Sequence, residues 1–186
     1  MPNWCENKMT VMGSPKQIEA FDSEFKGYRA KWCCTTPEKR SYHLNALYPV
    51  PEDILKIGYS FVKGNAEADE LFEKYKMDGY KWCCDHWGIK WDCDIEQVSI
   101  SEGFAEYGFD SPWTTPYLWA LEVSKRWPNL TITLIYYEPG MGFAGSSSYR
   151  NGEKIEDEEY NNLEDDYKSF VYEHFGWDVS EDEEAV

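Results

Sequence analysis

Residues 7–21 read NKMTVMGSPKQIEAF, and this run decides the fold. From Asn7 to Met12 it alternates, with Met9 and Val11 on one side and Lys8 and Thr10 on the other. That is the period-two signature of a half-buried strand. Ser14-Pro15-Lys16-Gln17 then switches the period. Ser14 suits a helix cap, Pro15 suits the first turn, and Gln17 is placed to close a capping box. Ile18, Phe21 and Phe25 follow at helical spacing, and Gly27 ends the helix.

Working outward, a second strand is expected over Tyr42–Tyr48, stopped by Pro49 and Pro51. Residues 50–93 then interrupt the pattern. They hold a helix with Ala68, Leu71, Phe72 and Tyr75 on one face, ending at Gly79, and then a loop rich in Trp and Cys from Lys81 to Cys93. A third strand signal comes at Ile95, Val98 and Ile100, with a weaker run from Phe104 to Phe109. Thr115-Pro116 starts a second helix, whose Leu118, Trp119, Leu121, Val123 and Trp127 leave little polar face; Pro128 ends it. Leu130 to Tyr136 alternates again. The order is strand, helix, strand, insertion, strand, helix, strand. It predicts an α+β fold: a ferredoxin-like split β-α-β sandwich with an insertion between strands 2 and 3.

Past Gly145 the chain changes character. Ser146–Tyr149, Asn151-Gly152 and Lys154-Ile155 read as a hairpin. Tyr160, Leu163, Tyr167, Phe170, Val171 and His174 lie at helical spacing up to Gly176, with Glu156–Glu159 expected at the helix start, where carboxylates favour the dipole. Ser180–Val186 is expected to fray. The domain organisation expected is a ferredoxin-like domain over 1–145, with its insertion at 50–93, and an acidic hairpin and helix extension over 146–186.

The chain of 186 residues is long enough to bury a core, and 42% hydrophobic with 17% aromatic content excludes a disordered chain. Net charge is −17. Residues 151–186 hold 14 acids against 2 bases, and residues 1–150 hold 21 against 16. Such a chain repels phosphate backbones, so direct nucleic-acid binding is not expected. An acidic imitation of nucleic acid that occupies a basic partner remains open. No apolar stretch reaches the length of a membrane span, and Cys5, Cys33, Cys34, Cys83, Cys84 and Cys93 follow no signal peptide. A cytoplasmic protein with reduced thiols is expected.

The best candidate site is Trp87-Gly88-Ile89-Lys90-Trp91-Asp92. Gly88 turns the chain between two indoles, with a cation and a carboxylate beside them. Rings of this kind stack a nucleobase, with Lys90 near a phosphate and Asp92 on a sugar or base edge. The opposing reading is a structural plug, since Trp is highly buried on average. Gly140-Met141-Gly142-Phe143-Ala144-Gly145 matches GxGxxG literally, but no helix begins inside it, so no dinucleotide site is expected. Gly140 and Gly142 are expected instead as a backbone wall beside Trp87 or Trp91. Cys83, Cys84, His86 and Cys93 have poor spacing for zinc, so no metal and no cofactor are expected. His43, His86 and His174 suggest no triad, and Glu102, Glu106, Asp110 and Glu138 read as an acidic cluster near strand ends. No catalytic residue is assigned.

Several segments together resemble the YubB-like family. They are Met1-Pro2-Asn3-Trp4-Cys5 with Asn7 and Val11, Pro49-Val50-Pro51-Glu52, and the WGIKWD box with Ile89 where the family has threonine. Ser111-Pro112-Trp113, the helix to Trp127-Pro128, and Tyr137-Glu138 through Gly142-Phe143 and Gly145 complete the resemblance. It covers most of residues 1–145 and leaves the C-terminal helix outside. It implies a ferredoxin-like domain carried by phages, plasmids and mobile elements, in a bacterial host cell. The function expected is a non-enzymatic accessory protein, plausibly in counter-defence, whose partner is a nucleotide-like small molecule or a host defence protein, with a homo-oligomer open. The alternatives are the acidic mimic and an enzyme acting on a small nucleotide.

Overall fold

In the computed structural model, residues 3–33 and 40–179 are described. Met1, Pro2, Cys34 and Ser180–Val186 lie outside them. β1 (Trp4–Met12) leads through Ser14 into α1 (Pro15–Phe25), where the Ser14–Gln17 capping box forms as expected. Next come β2 (Lys26–Gly27), a short 3-10 turn at Lys31–Cys33, and β3 (Ser41–Tyr42). Four helices follow: α2 (Leu44–Leu47), α3 (Glu52–Ile57), α4 (Ala66–Tyr75) and α5 (Gly79–Trp87). β4 (Ile95–Ser101) and β5 (Phe104–Pro112) form a hairpin. α6 (Tyr117–Arg126), β6 (Thr131–Glu138), β7 (Phe143–Arg150), β8 (Glu153–Asn161) and α7 (Asp165–Phe175) complete the chain.

The main sheet is antiparallel, in the order β4-β5-β1-β6-β7-β8. Its first four strands, with α1 and α6, are a ferredoxin-like core, and β7–β8 widen the sheet beyond β6. On β1 the odd positions Cys5, Asn7, Met9 and Val11 are buried under the helices, and the even positions face the opposite side. Met9 and Val11 join Phe21, Phe25, Tyr107, Trp119, Ile132 and Leu134 in one continuous core. Each large side chain fully buried there stabilises the fold by about 1.5–3 kcal/mol. α7 crosses the other face of β6 and β7 and packs Tyr167, Phe170 and Val171 on Tyr137 and Ala144. Among the described residues the opposite face of β4, β5 and most of β1 therefore has no helix over it. Among the described residues no helix is long and apolar enough to cross a membrane.

Several expected elements move. The strand expected over Tyr42–Tyr48 shrinks to Ser41–Tyr42, and Leu44–Leu47 is helical, burying Leu44 and Leu47. Long-range partners hold that turn: Asp92 accepts from Leu44 N, and the Trp119 indole donates to Leu44 O. The run from Ile95 to Phe109 is two strands, because Gly103, at φ +76°, reverses the chain. The insertion consequently lies between α1 and the second core strand, not between strands 2 and 3. The loop expected over Lys81–Cys93 is helical up to Trp87. Glu156–Glu159 belong to β8, and Asp165 and Asp166 occupy the first turn of the last helix instead. Gly145 falls inside β7, so the sheet runs through the expected domain boundary.

Deleting residues 151–186 strips β8 from β7 and uncovers Tyr137 and Ala144, but leaves the larger core intact. Urea unfolding is expected to stay cooperative with stability lowered by about 3 kcal/mol, the order of one or two large side chains returned to water. Loss of the cooperative transition would make the extension part of the core.

Candidate functional site

The WGIKWD segment is placed by caps at both ends of α5. Asp78 accepts from Lys81 N at 3.0 Å, and Gly88 closes the helix at φ +82°. A Cβ on Gly88 would stand 2.8 Å from the Tyr117 ring, so only glycine fits both the turn and the contact. Before the turn, Trp87 is fully buried; its indole donates to Tyr48 O at 3.0 Å and meets Trp82 edge to face. After it, Ile89 returns to the core and Lys90 Nζ lies 4.4 Å from the Trp113 ring centroid. Trp91 then emerges against Trp4 from β1, with centroids 6.3 Å apart at 76°.

Trp4 and Trp91 wall a cavity of about 460 Å³ beside the uncovered face of β1, β5 and β4. Its lining is strongly acidic: Glu6, Asp92, Asp94, Glu96 and Asp110 against Lys8 and Arg29. Arg29 is paired with Asp94. Lys8 donates to His174 O and lies over the Phe175 ring. Among the described residues no ion pair reaches Glu6, Glu96 or Asp110. Burial raises the Asp110 carboxyl above the ordinary range, and Glu6 and Glu96 raise it further. This is the mark of negative charge that lacks a counter-ion.

Asp92 sits at the back of the cavity and is 3% exposed. Its Oδ1 accepts from Leu44 N at 2.8 Å and Cys93 N at 3.0 Å, tying the insertion to the strand that follows. Its Oδ2 is buried without a hydrogen-bond partner among the described residues. Burial pushes the carboxyl up to about 7, against the lowering effect of the backbone donors and Arg29.

A second concavity of about 440 Å³ lies on the helix side of β6–β8. Trp113, Tyr117, Tyr136, Phe143 and Tyr149 surround it, with Met141 at the rim and Lys154, Asp157 and Glu159 along β8. The Thr115 hydroxyl is buried there without a partner, and Trp113 holds φ at +73°, rare for a bulky residue.

The expected site residues are therefore divided. Trp91 and Asp92 line the first cavity. Lys90 braces Trp113 at the second, and Gly140 and Gly142 flank Met141 on its rim. The glycines do not back onto Trp87 or Trp91: a Cβ on Gly140 would meet Asn3, and one on Gly142 would meet Asn162. The loop is instead tied by Glu138, whose carboxylate accepts from Gly140 N and Met141 N. Trp87 belongs to the core. Cys83 and Cys93 are buried thiols, and His86 stacks on Trp82. Glu6 and Glu96 carry no motif, and Trp4 stands in the MPNWC run without being marked there as a site residue. Their signal is positional, since Trp4 and Glu6 alternate with buried Cys5 and Asn7. Asp110 stood out only as one of several acids.

Residues 86–174 match a family described as a ferredoxin-like domain in Api92-like protein. The match runs through β7, β8 and most of α7, so the C-terminal helix lies within the matched stretch, contrary to the expectation from the motifs, which end at Gly145. The uncharacterized protein YubB of Escherichia coli (strain K12) is 32% identical over 79 residues, covering 41% of this chain. The chain spans 54% of that curated relative's length. The crystal structure of a protein api92 from Yersinia pseudotuberculosis aligns with a TM-score of 0.54 at 11% identity, covering 87% of this chain and 99% of that one. At that identity the likeness shows the fold alone.

Two outcomes follow from this geometry. Trp87→Ala is expected to lose about 3–5 kcal/mol of stability, as for a large ring removed from a core, whereas Trp91→Ala loses under about 1 kcal/mol; chemical unfolding compares them. Asp92 titrates near 7 in the folded chain but near 3.8 when unfolded. Between those pH values the native chain holds the extra proton, so stability falls as pH rises and levels off above about 7. Asp92→Asn keeps an acceptor for Leu44 and Cys93 but carries no charge. Its stability relative to wild type is expected to improve by about 1–4 kcal/mol between pH 4 and 8. A pH-independent difference would contradict the shift.

Proposed function

We propose that this protein is a binding module, not a catalyst, and that its Trp4–Trp91 cup takes a cationic group of a partner protein. The observation that supports this is Glu6, Glu96 and Asp110, which converge on an indole pair without a counter-ion among the described residues. An arginine or lysine side chain supplies the missing charge and packs on the rings, a contact worth about 0.5–2 kcal/mol beyond the ion pairing. A phosphate entering the same cup meets repulsion, so the protein-partner reading is favoured there over a nucleotide. The phage, plasmid or mobile-element setting, and counter-defence within it, rest on the resemblance of the MPNWC run and the WGIKWD box. In that setting the partner is a host defence protein with a basic surface, reached in the bacterial cytoplasm.

Titrating the protein with an oligoarginine peptide, read by tryptophan fluorescence, tests the cup. Trp91→Ala and Asp110→Asn are each expected to weaken binding at least tenfold. Asp165→Asn, on the first turn of α7, removes one charge elsewhere and is expected to leave binding unchanged. Equal losses in all three variants would mean that only bulk charge is at work.

The second concavity supports a small-molecule reading, because the orphaned Thr115 hydroxyl and the strained Trp113 lie at a ring-lined hollow. A nucleotide-like ligand fits it through base stacking on Trp113 or Tyr117. Equilibrium dialysis with adenosine and guanosine nucleotides is expected to show saturable binding that Trp113→Ala removes, with the ligand recovered unchanged. Conversion of the ligand by substoichiometric protein would favour an enzyme.

A further inference from the structure

The two edges of the main sheet are built in opposite ways. β8 carries Glu153, Glu156, Asp157, Glu158 and Glu159 within its nine residues. Such a row of like charge keeps an edge solvated and discourages strand addition. β4 has seven residues with one acid, Glu96, and neither lysine nor proline. It ends the sheet, and every residue after Ile95 is exposed. Val98 and Ile100, 37% and 45% exposed, stand uncovered on the helix side. Among the described residues β3 touches β4, yet the exposed run after Ile95 carries a single acid, and an edge of this kind is a template for another strand.

This edge is continuous with the cup. The pairing of β4 with β5 is irregular between Ile95 and Gln97, and Glu96 and Gln97 both line the cavity. Directly inward from Gln97 stands Gly108, also on the lining. No side chain stands at that position of β5, so only the Gln97 side chain, which lies over Gly108, has to swing aside to open a way from the edge toward Glu6 and Asp110.

We propose that β4 is a docking edge for an extended, basic segment of a partner protein. The segment adds as a strand beside β4 and lays an arginine or lysine side chain across Gly108 into the Trp4–Trp91 cup. This inference rests on the cation-binding reading of the cup and adds the form of the partner. Strands lie about 4.8 Å apart, so the added strand stands about 10 Å from β5 and about 14 Å from β1, and a long cationic side chain leaning inward meets the near wall of the cup, at Glu96 and Asp110. Successive side chains of a strand point to opposite faces. The segment therefore alternates, with cations toward the cup and apolar β-branched residues toward Val98 and Ile100. Backbone pairing supplies affinity and the alternate side chains supply specificity. A second copy of this chain pairing through its own β4 is disfavoured as the occupant, because it brings another net charge of −17 and that strand holds neither lysine nor arginine.

The test uses the full chain and a short peptide alternating arginine and valine. Two further peptides of the same sequence carry backbone N-methyl groups on the odd or on the even residues. One set removes the donors that face β4 while keeping every charge. The parent peptide is expected to slow amide exchange within residues 95–101, and one N-methylated form is expected to bind at least tenfold more weakly. Trp91→Ala is expected to weaken the parent by a similar factor. If both N-methylated peptides bind as tightly as the parent, or protection falls outside residues 95–101, the edge inference is overturned. A remaining effect of Trp91→Ala would then leave the cup standing alone. Protection of 95–101 with Trp91→Ala indifferent would overturn the joint placement. A dimer formed through β4 that the peptide fails to displace, seen by sedimentation, would make a second copy the occupant.

Discussion

The register of β1 is the constraint on which the rest depends. β1 is paired on both sides, with β5 along its whole length and with β6 from Glu6 onward. Its odd residues enter the core, and its even residues face the side that α7 covers only in part. A slip of one residue would drive Lys8 and Thr10 into the core and turn out Met9 and Val11, several kcal/mol against the fold. Buried Asn7 pins the register further. Its amide donates to Cys5 O and to Ser111 Oγ, both at 2.7 Å, a pairing available in one alignment with β5. The alignment that buries Met9 is the one that presents Trp4 and Glu6 beside Asp110.

The WGIKWD segment works as a seam. Trp87 and Ile89 anchor it in the core, Lys90 braces Trp113 on one side, and Trp91 and Asp92 open onto the other. Asp92 gives the seam its rigidity by capping the start of α2 across the insertion. The insertion is thus fastened to the ferredoxin-like core at the place where the cup is made. The plug reading fits Trp87 and Ile89, which are buried, and the turn at Gly88 leaves Trp91 and Asp92 to line the cavity.

What was legible in the sequence is what local periodicity encodes. β1, α1, α6, β6, the final hairpin and α7 each carry their own pattern of apolar residues and caps, and each forms. The elements misread are those whose backbone is satisfied from afar. Leu44–Leu47 alternates well enough to resemble a strand, yet Asp92 and Trp119 bind its backbone as a helical turn. The site shows the same division. Trp91 and Asp92 were visible as a motif, but Glu6 and Asp110 meet only through cross-strand pairing of β1 and β5. No spacing along the chain reports such a meeting.

The added hairpin and helix divide the open face of the sheet. A four-stranded ferredoxin-like sheet with helices on one side leaves its whole second face bare. Here β7 and β8 extend the sheet and give α7 a floor, and α7 closes the β6–β7 part of that face over Tyr137 and Ala144. Trp177, just past α7, donates to Glu6 at 2.9 Å, so the cover reaches the rim of the cup. Acidic residues line the outer strand β8, where they hold that edge apart from other chains. The charge that protects one edge is nearly absent from β4, and the carboxylates that remain near it surround an indole pair instead. One edge carries a row of carboxylates and the other a single acid, and the acidic lining of the Trp4–Trp91 cavity lies beside the second.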